Sequence, residues 1–255
     1  MRIPEPVQAL IGVELRKLAQ IPAYTIPPGC RAEICAALGP SCLAQRDADS
    51  PADGNHGLPV LSFSDRIRAY LELITAKNAA VLWRQACQET DAIFGEVRDP
   101  ADIRREEETY LARRKQSPLE HISVYDVPRA YIPAHILDMA ERALTGQVHD
   151  DRAFRNEANE WWQIYGRPEL MEREFFIKWA AQDALYEAIG LASDDREPPA
   201  QNALYAIAGL FDGEDLDSRT YRFDESKRHE FWIWWLSTAI PQAVIEAAKQ
   251  PRPNS

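Results

Sequence analysis

Three of the seven tryptophans fall within four residues, in the run Phe231-Trp232-Ile233-Trp234-Trp235-Leu236-Ser237-Thr238-Ala239-Ile240-Pro241. Aromatic side chains that dense cover nearly every side of a helix, and a helix apolar all round is buried. The run therefore predicts a central helical post with Phe231 and Trp235 inside. Asp224 is placed to cap it. The helix continues past Pro241 to about Lys249, with a kink where the proline removes a backbone bond.

The rest of the chain reads as helices separated by glycine, proline and acidic punctuation. A first helix spans about Pro6 to Gln20, with Leu10, Val13 and Leu18 broadly on one side. A short one runs from about Arg31 to Leu38 and stops at Gly39-Pro40. The polar stretch at about 43–60 reads as a flexible loop within a single 1–255 domain. Ser64 with Asp65 is expected to cap one long helix to about Gln88. The almost wholly charged stretch Asp99 to Gln116, acids before bases, suits an exposed helix or a linker. Pro133 to Leu144 is closed by Gly146. Asp150 opens a helix whose face carries Phe154, Ala158, Trp161 and Tyr165. The next has Phe175, Trp179, Gln182, Tyr186 and Ile189 on a shared side, and a further helix spans about Ala200 to Phe211. Strand patterning is nearly absent; Ile122 to Val127 is the only run worth naming, and it is too short to build a sheet. The expected fold is all-α, an irregular helical bundle or a short helix-pair solenoid.

A chain of 255 residues with 45% hydrophobic and 27% charged residues is ordinary for a globular protein. Its apolar stretches are too short and too interrupted for a membrane span. The N-terminus lacks the basic start and apolar run of a secretion signal. Cys30, Cys35, Cys42 and Cys87 are too few for a disulfide scaffold, so reduced thiols in a cytoplasmic protein are expected. With 29 basic against 40 acidic residues the net charge is −11. That disfavours nucleic-acid and anionic membrane partners and favours a basic protein partner.

Motifs for chemistry do not assemble. Cys30-x4-Cys35-x6-Cys42 lacks the paired spacing of a zinc site. Glu157 and Glu160 share a helix side without histidine support, and read as a solvated face beside Trp161. There is no nucleophile elbow and no phosphate-cradling glycine loop. His149-Asp150-Asp151 reads as a helix start, and His229-Glu230 as a core hydrogen-bonding pair. His121 and His135 stand without evident partners. The expectation is a non-enzymatic protein with no cofactor and no metal.

The segment Phe231-Trp232-x-Trp234-Trp235-Leu236-x-x-Ala239-Ile240-Pro241-x-Ala243 resembles the C-terminal signature of a bacterial immunity-protein family, the all-helical fifth class found beside polymorphic and contact-dependent toxins. Arg31 to Gly39, Ile136 to Gly146 and Asn202 to Leu210 are loosely similar to other helices of that family. The charged insertion Asp99 to Tyr125 departs from its pattern. The resemblance implies a cytoplasmic protein that binds a cognate toxin and blocks its active site. An acidic inhibitor suits a basic, nuclease-like toxin, because its carboxylates can stand where phosphates bind. The candidate contact surface is a pair of acidic loops, Asp194, Asp195 and Glu197 in one and Asp212, Glu214, Asp215 and Asp217 in the other. A helical scaffold or adaptor is the competing reading. A small-ligand binder or enzyme with a site built from dispersed residues is another; a deep pocket lined by Trp161, Trp179 and a carboxylate pair would favour it.

Overall fold

The computed structural model describes residues 2–41, 58, 60–94, 99–148, 150–164, 173–190, 199–212 and 220–249. Among them the fold is all-α apart from one two-stranded hairpin, and it forms an irregular bundle. Two helices, α1 (Glu5–Gln20) and α2 (Pro28–Ala37), each begin with proline in the first turn, where the missing N–H costs nothing. Gly39 ends this pair at φ +126°, and a Cβ there would collide with Ser64 Oγ. Its carbonyl accepts from the Arg68 guanidinium. Glycine at this position thus lets the N-terminal pair close onto the next helix, α3 (Phe63–Ala80).

The start of α3 differs from expectation. Ser62, not Ser64, is the cap, and its Oγ accepts from the Asp65 N–H at 3.1 Å. Nor does one helix run to Gln88. The chain turns at Val81-Leu82, and a second helix, α4 (Trp83–Phe94), begins. No glycine or proline marks this break. The turn buries Trp83, whose indole N–H donates to the Arg129 carbonyl at 2.8 Å, a contact 46 residues away in sequence.

The charged stretch is a helix, α5 (Pro100–Gln116). Asp99 caps it by accepting from the Ala101 N–H at 2.8 Å, and Tyr110 is its one buried residue. Three short 3-10 turns follow, Leu119–His121, Val124–Asp126 and Arg129–Tyr131. They occupy the run read as the best strand candidate. Ile122, Val124 and Val127 still go inside, but the frequent prolines favour tight turns over pairing. Then come α6 (Ile132–Thr145), which Gly146 ends at φ +69°, and α7 (Asp151–Ile164), capped by Asp150.

The central post is not the tryptophan helix but α8 (Arg173–Ile189). Helices α3, α6 and α9 (Gln201–Ala208) all pack on it. Its buried side is Phe176, Ile177, Ala180, Ala181, Ala184, Leu185 and Ala188, while Phe175, Trp179 and Tyr186 of the expected aromatic stripe are only half-buried. Alanines admit neighbours on several sides at once; large rings fill the margins. Helix α9 ends at Ala208, shorter than predicted, and Gly209–Asp212 (β1) pairs antiparallel with Thr220–Phe223 (β2).

The tryptophan segment is α10 (Glu225–Trp234), a π-helical turn (Trp235–Ala239) and α11 (Ile240–Lys249). Asp224 caps it, accepting from the Lys227 N–H at 3.1 Å. The expected kink takes the form of the π turn. Widening the helix just before Pro241 relieves the clash between the proline ring and the preceding turn. Phe231 and Trp235 are buried as expected; Trp232 is buried as well and stacks edge-on to both of them. The Trp232 indole donates to Thr25 Oγ1 at 3.0 Å, and Arg31 lies over its ring. One side of the segment, with Ile233, Ser237 and Ile245, faces solvent. No helix among the described residues is long and apolar enough to cross a membrane.

Candidate functional site

A two-lobed cleft lies beneath α5. One lobe, about 460 Å³, is walled by Trp83, Cys87 and Asp91 of α4, by Ile103, Glu106 and Glu107 of α5, and by the turn Pro128–Tyr131. The other, about 660 Å³, lies between the C-terminal end of α3 and the start of α6, with Lys77, Val81, Leu137 and Asp138 among its walls. Trp83, Arg84 and Ala130 line both lobes and form the ridge between them. Such volumes are typical of ligand sites.

The cleft exists because α5 is tied down mainly at its C-terminal half. Tyr110 Oη meets His135 Nδ1 at 3.0 Å inside the core. Arg114 pairs with Asp138 at 2.6 Å, and Arg113 pairs with Asp126 on the second 3-10 turn. The N-terminal half of α5 carries Ile103, Glu106 and Glu107 inward, too few apolar groups to draw it onto α4.

Charge in the first lobe is organised by Arg129. Its Nη2 donates to Glu174 at 2.5 Å and its Nε to the other oxygen at 3.1 Å, while Nη1 donates to Asp91 at 2.5 Å. Burial works against its charge, but the two carboxylates outweigh that and hold its proton more tightly than usual. This fork fixes the turn that carries Ala130 and Tyr131. The Cys87 thiol is pushed up to about 12 by burial and by Glu174. It is a neutral thiol at physiological pH and no nucleophile. In the second lobe, Lys77 pairs with Glu141 at 2.7 Å across the mouth. On α6, His135 is buried and pushed down to about 3 by burial and then by Arg114 and Arg142, so it is neutral and its Nε2 has no hydrogen-bond partner. The cleft thus joins aromatic walls to fixed charges and suits an amphipathic guest better than a reaction.

Of the predicted contact residues, Asp194, Asp195, Glu197, Glu214, Asp215 and Asp217 lie outside the described residues, and Asp212 is placed only by its backbone, at the end of β1. Cys42 and His149 also lie outside them. Asp150 and Asp151 serve structure: Asp150 caps α7, and Asp151 accepts from the Leu58 N–H at 2.8 Å. His135 does have a partner, Tyr110, contrary to expectation. Glu157 is not a solvated residue. It is half-buried beneath the second 3-10 turn, where it accepts the Val124 N–H, one oxygen has no partner, and burial raises its carboxyl to about 7. Trp161 is wholly buried against His135 rather than lining a cleft. Among the described residues no group of three or more side chains is placed to hold a metal ion.

The residues that shape the cleft, Trp83, Ile103, Glu107, Arg129 and Tyr131, were not singled out from sequence. One signal was available: Ile103, Glu106, Glu107 and Tyr110 follow the i, i+3, i+4, i+7 spacing of an inward face within a charged stretch. Comparison with known protein families and with curated proteins returned no match.

Proposed function

We propose that the chain is an immunity-type inhibitor, a cytoplasmic protein that binds a basic cognate toxin and covers its active site. The observation that carries this reading is α5 itself. A capped, fully formed helix with a single buried residue rides over an open cleft, on a chain of net charge −11. Helices kept for packing bury a stripe; this one keeps its charged surface for something else. The resemblance of the tryptophan run adds to it. Its residues lie in the core, where a fold signature belongs, which leaves the flanks free to vary with the partner.

The α5 flank with its cleft is the contact surface in this reading, alongside the acidic segment that contains Asp212, Glu214, Asp215 and Asp217. The decisive experiment is capture of the neighbouring gene's product by the purified protein, followed by a protection assay in cells making both. The variant Glu106→Gln/Glu107→Gln/Glu108→Gln is expected to slow association, more at low salt than at high salt, and to weaken protection. The variant Asp212→Asn/Glu214→Gln/Asp215→Asn tests the other surface in the same assay. Loss of protection in neither variant, or no capture at all, sinks the reading. A small-ligand binder is the second reading, favoured by the cleft volumes, and a ligand retained through purification would establish it.

A further inference from the structure

The inward face of α5 departs from the composition of a packed helix. Ile103 and Tyr110 sit at its ends, one turn beyond the glutamates on each side, while Glu106 and Glu107 stand between them over an unfilled lobe of about 460 Å³. The opposite wall carries the apolar and aromatic groups of Trp83, Cys87, Pro128, Ala130 and Tyr131, beside the charged Arg84, Asp91 and Arg129. A lobe with carboxylates on one wall and rings on the other calls for a guest with a cationic head and an apolar stem. Among the described residues, no cation is paired with Glu107. Arg129, the cation in the wall, is committed to Glu174 and Asp91. Arg84 stands exposed on the ridge. Glu107 has no hydrogen bond or ion pair among the described residues, although it is only partly exposed.

We infer that this lobe is a socket for an arginine side chain of a basic partner protein, with the guanidinium on Glu107 and the stem against Trp83 and Tyr131. The partner's nature rests on the inhibitor reading above. Arginine is selected over lysine by the walls. A planar guanidinium stacks on aromatic faces and forks onto carboxylates, whereas an ammonium is a strongly hydrated point charge. The lobe, about 460 Å³, is large enough for one long side chain, and arginine is among the residues that anchor protein interfaces. Inserted there, it would compete with no existing ion pair of Arg129.

The test uses the whole chain and a small probe, N-acetyl-argininamide, with N-acetyl-norleucinamide as a neutral control of similar length. The indole N–H resonance of Trp83, assigned by its loss in Trp83→Phe, reports on the lobe. The arginine probe is expected to shift it saturably at millimolar concentration, and the neutral control is not. Glu107→Gln should weaken the arginine probe about threefold to tenfold, the range for losing one partly exposed charged contact. Glu5→Gln, exposed on α1 and away from the lobe, should leave it unchanged. No saturable shift, equal binding of the neutral control, or equal effects of the two glutamine variants would overturn the socket. No partner protein enters this assay. A negative titration therefore removes the socket and leaves the inhibitor reading to the protection assay, while failed protection with a positive titration overturns the partner and keeps the site.

Discussion

Helices α5 and α8 are equal in length, 17 residues each, and opposite in every other respect. Helix α8 buries eleven residues and is touched by helices on several sides. Helix α5 buries only Tyr110. One is held by packing, the other by its own ends: an aspartate cap, acids before bases, an Arg105–Asp102 pair at 2.6 Å, and a few anchors near its C-terminus. An isolated helix of this length is marginal in water. The bundle therefore contains a rigid body built on α8 and a flank whose order depends on few contacts. A rigid body with a loosely held flank is the division of labour expected of a binding protein.

The largest test strikes the rigid body. Trp235 is fully buried and edge-on to Trp232, so Trp235→Ala should cost about 3–5 kcal/mol in chemical denaturation, the usual loss for a deleted core aromatic. An unchanged unfolding midpoint would contradict its burial. A second test sets the two helices side by side. Ala181 is fully buried on α8, and Ala112 is exposed on α5. Ala181→Leu should overpack the core and cost about 1–3 kcal/mol. Ala112→Leu should stay within about 0.5 kcal/mol, as surface changes do. Equal costs would mean that α5 is packed as tightly as α8.

Much of this contrast was legible in the sequence, and the illegible part has a physical cause. Capped and glycine-ended helices were readable because caps are local: Asp224, Asp150 and Gly146 each act within a few residues. Burial of Phe231 and Trp235 followed from density of apolar side chains alone. The break at Val81-Leu82 carries no local signal such as glycine or proline, and the contact that Trp83 makes just after it is with the distant Arg129 carbonyl. The identity of the post is hidden for a related reason. Aromatic bulk is concentrated in the C-terminal run, whereas the most surrounded helix is the one whose alanines let three neighbours approach. The cleft was invisible for the same reason as the break: a hollow is made by what fails to meet across space. The face Ile103–Tyr110 was its one local trace.

The third test loosens the flank alone. Tyr110 Oη and His135 Nδ1 lie 3.0 Å apart in the core. Tyr110→Phe removes that bond and keeps the ring, at about 1 kcal/mol. Native-state hydrogen exchange should show α5 amides opening more readily in this variant. Amides of α8 should change by no more than the global loss. If α5 and α8 lose protection together, the flank and the body are one cooperative unit and the contrast between them fails.

The smallest effect is expected at Glu157, where the flank's last anchor meets the body. This residue lies under Val124, and the turn it supports carries Asp126, the partner of Arg113 on α5. The acids facing it are Glu160 on its own helix and Asp126 on the turn, and burial is the larger cause of its rise from 4.5 to about 7. A carboxyl raised on folding binds more protons in the native state than in the unfolded chain. Between about pH 4.5 and 7 it therefore lowers stability as pH rises, and above that window its penalty is constant. His135 acts in the opposite sense. Its folded value, pushed down from 6.5 to about 3, means that stability falls as pH drops through that range. Between about pH 4.5 and 6.5 the two slopes oppose each other and flatten the profile. Glu157→Gln removes one of them. The variant should be more stable than the parent at pH 8 by about 1 kcal/mol, after allowance for the solvent that reaches this half-buried group. It should show little difference at pH 4, and its stability should climb more steeply with pH between these limits. A parent and variant with parallel profiles would mean that Glu157 titrates as an ordinary surface carboxylate and that the turn above it is not strained by its charge.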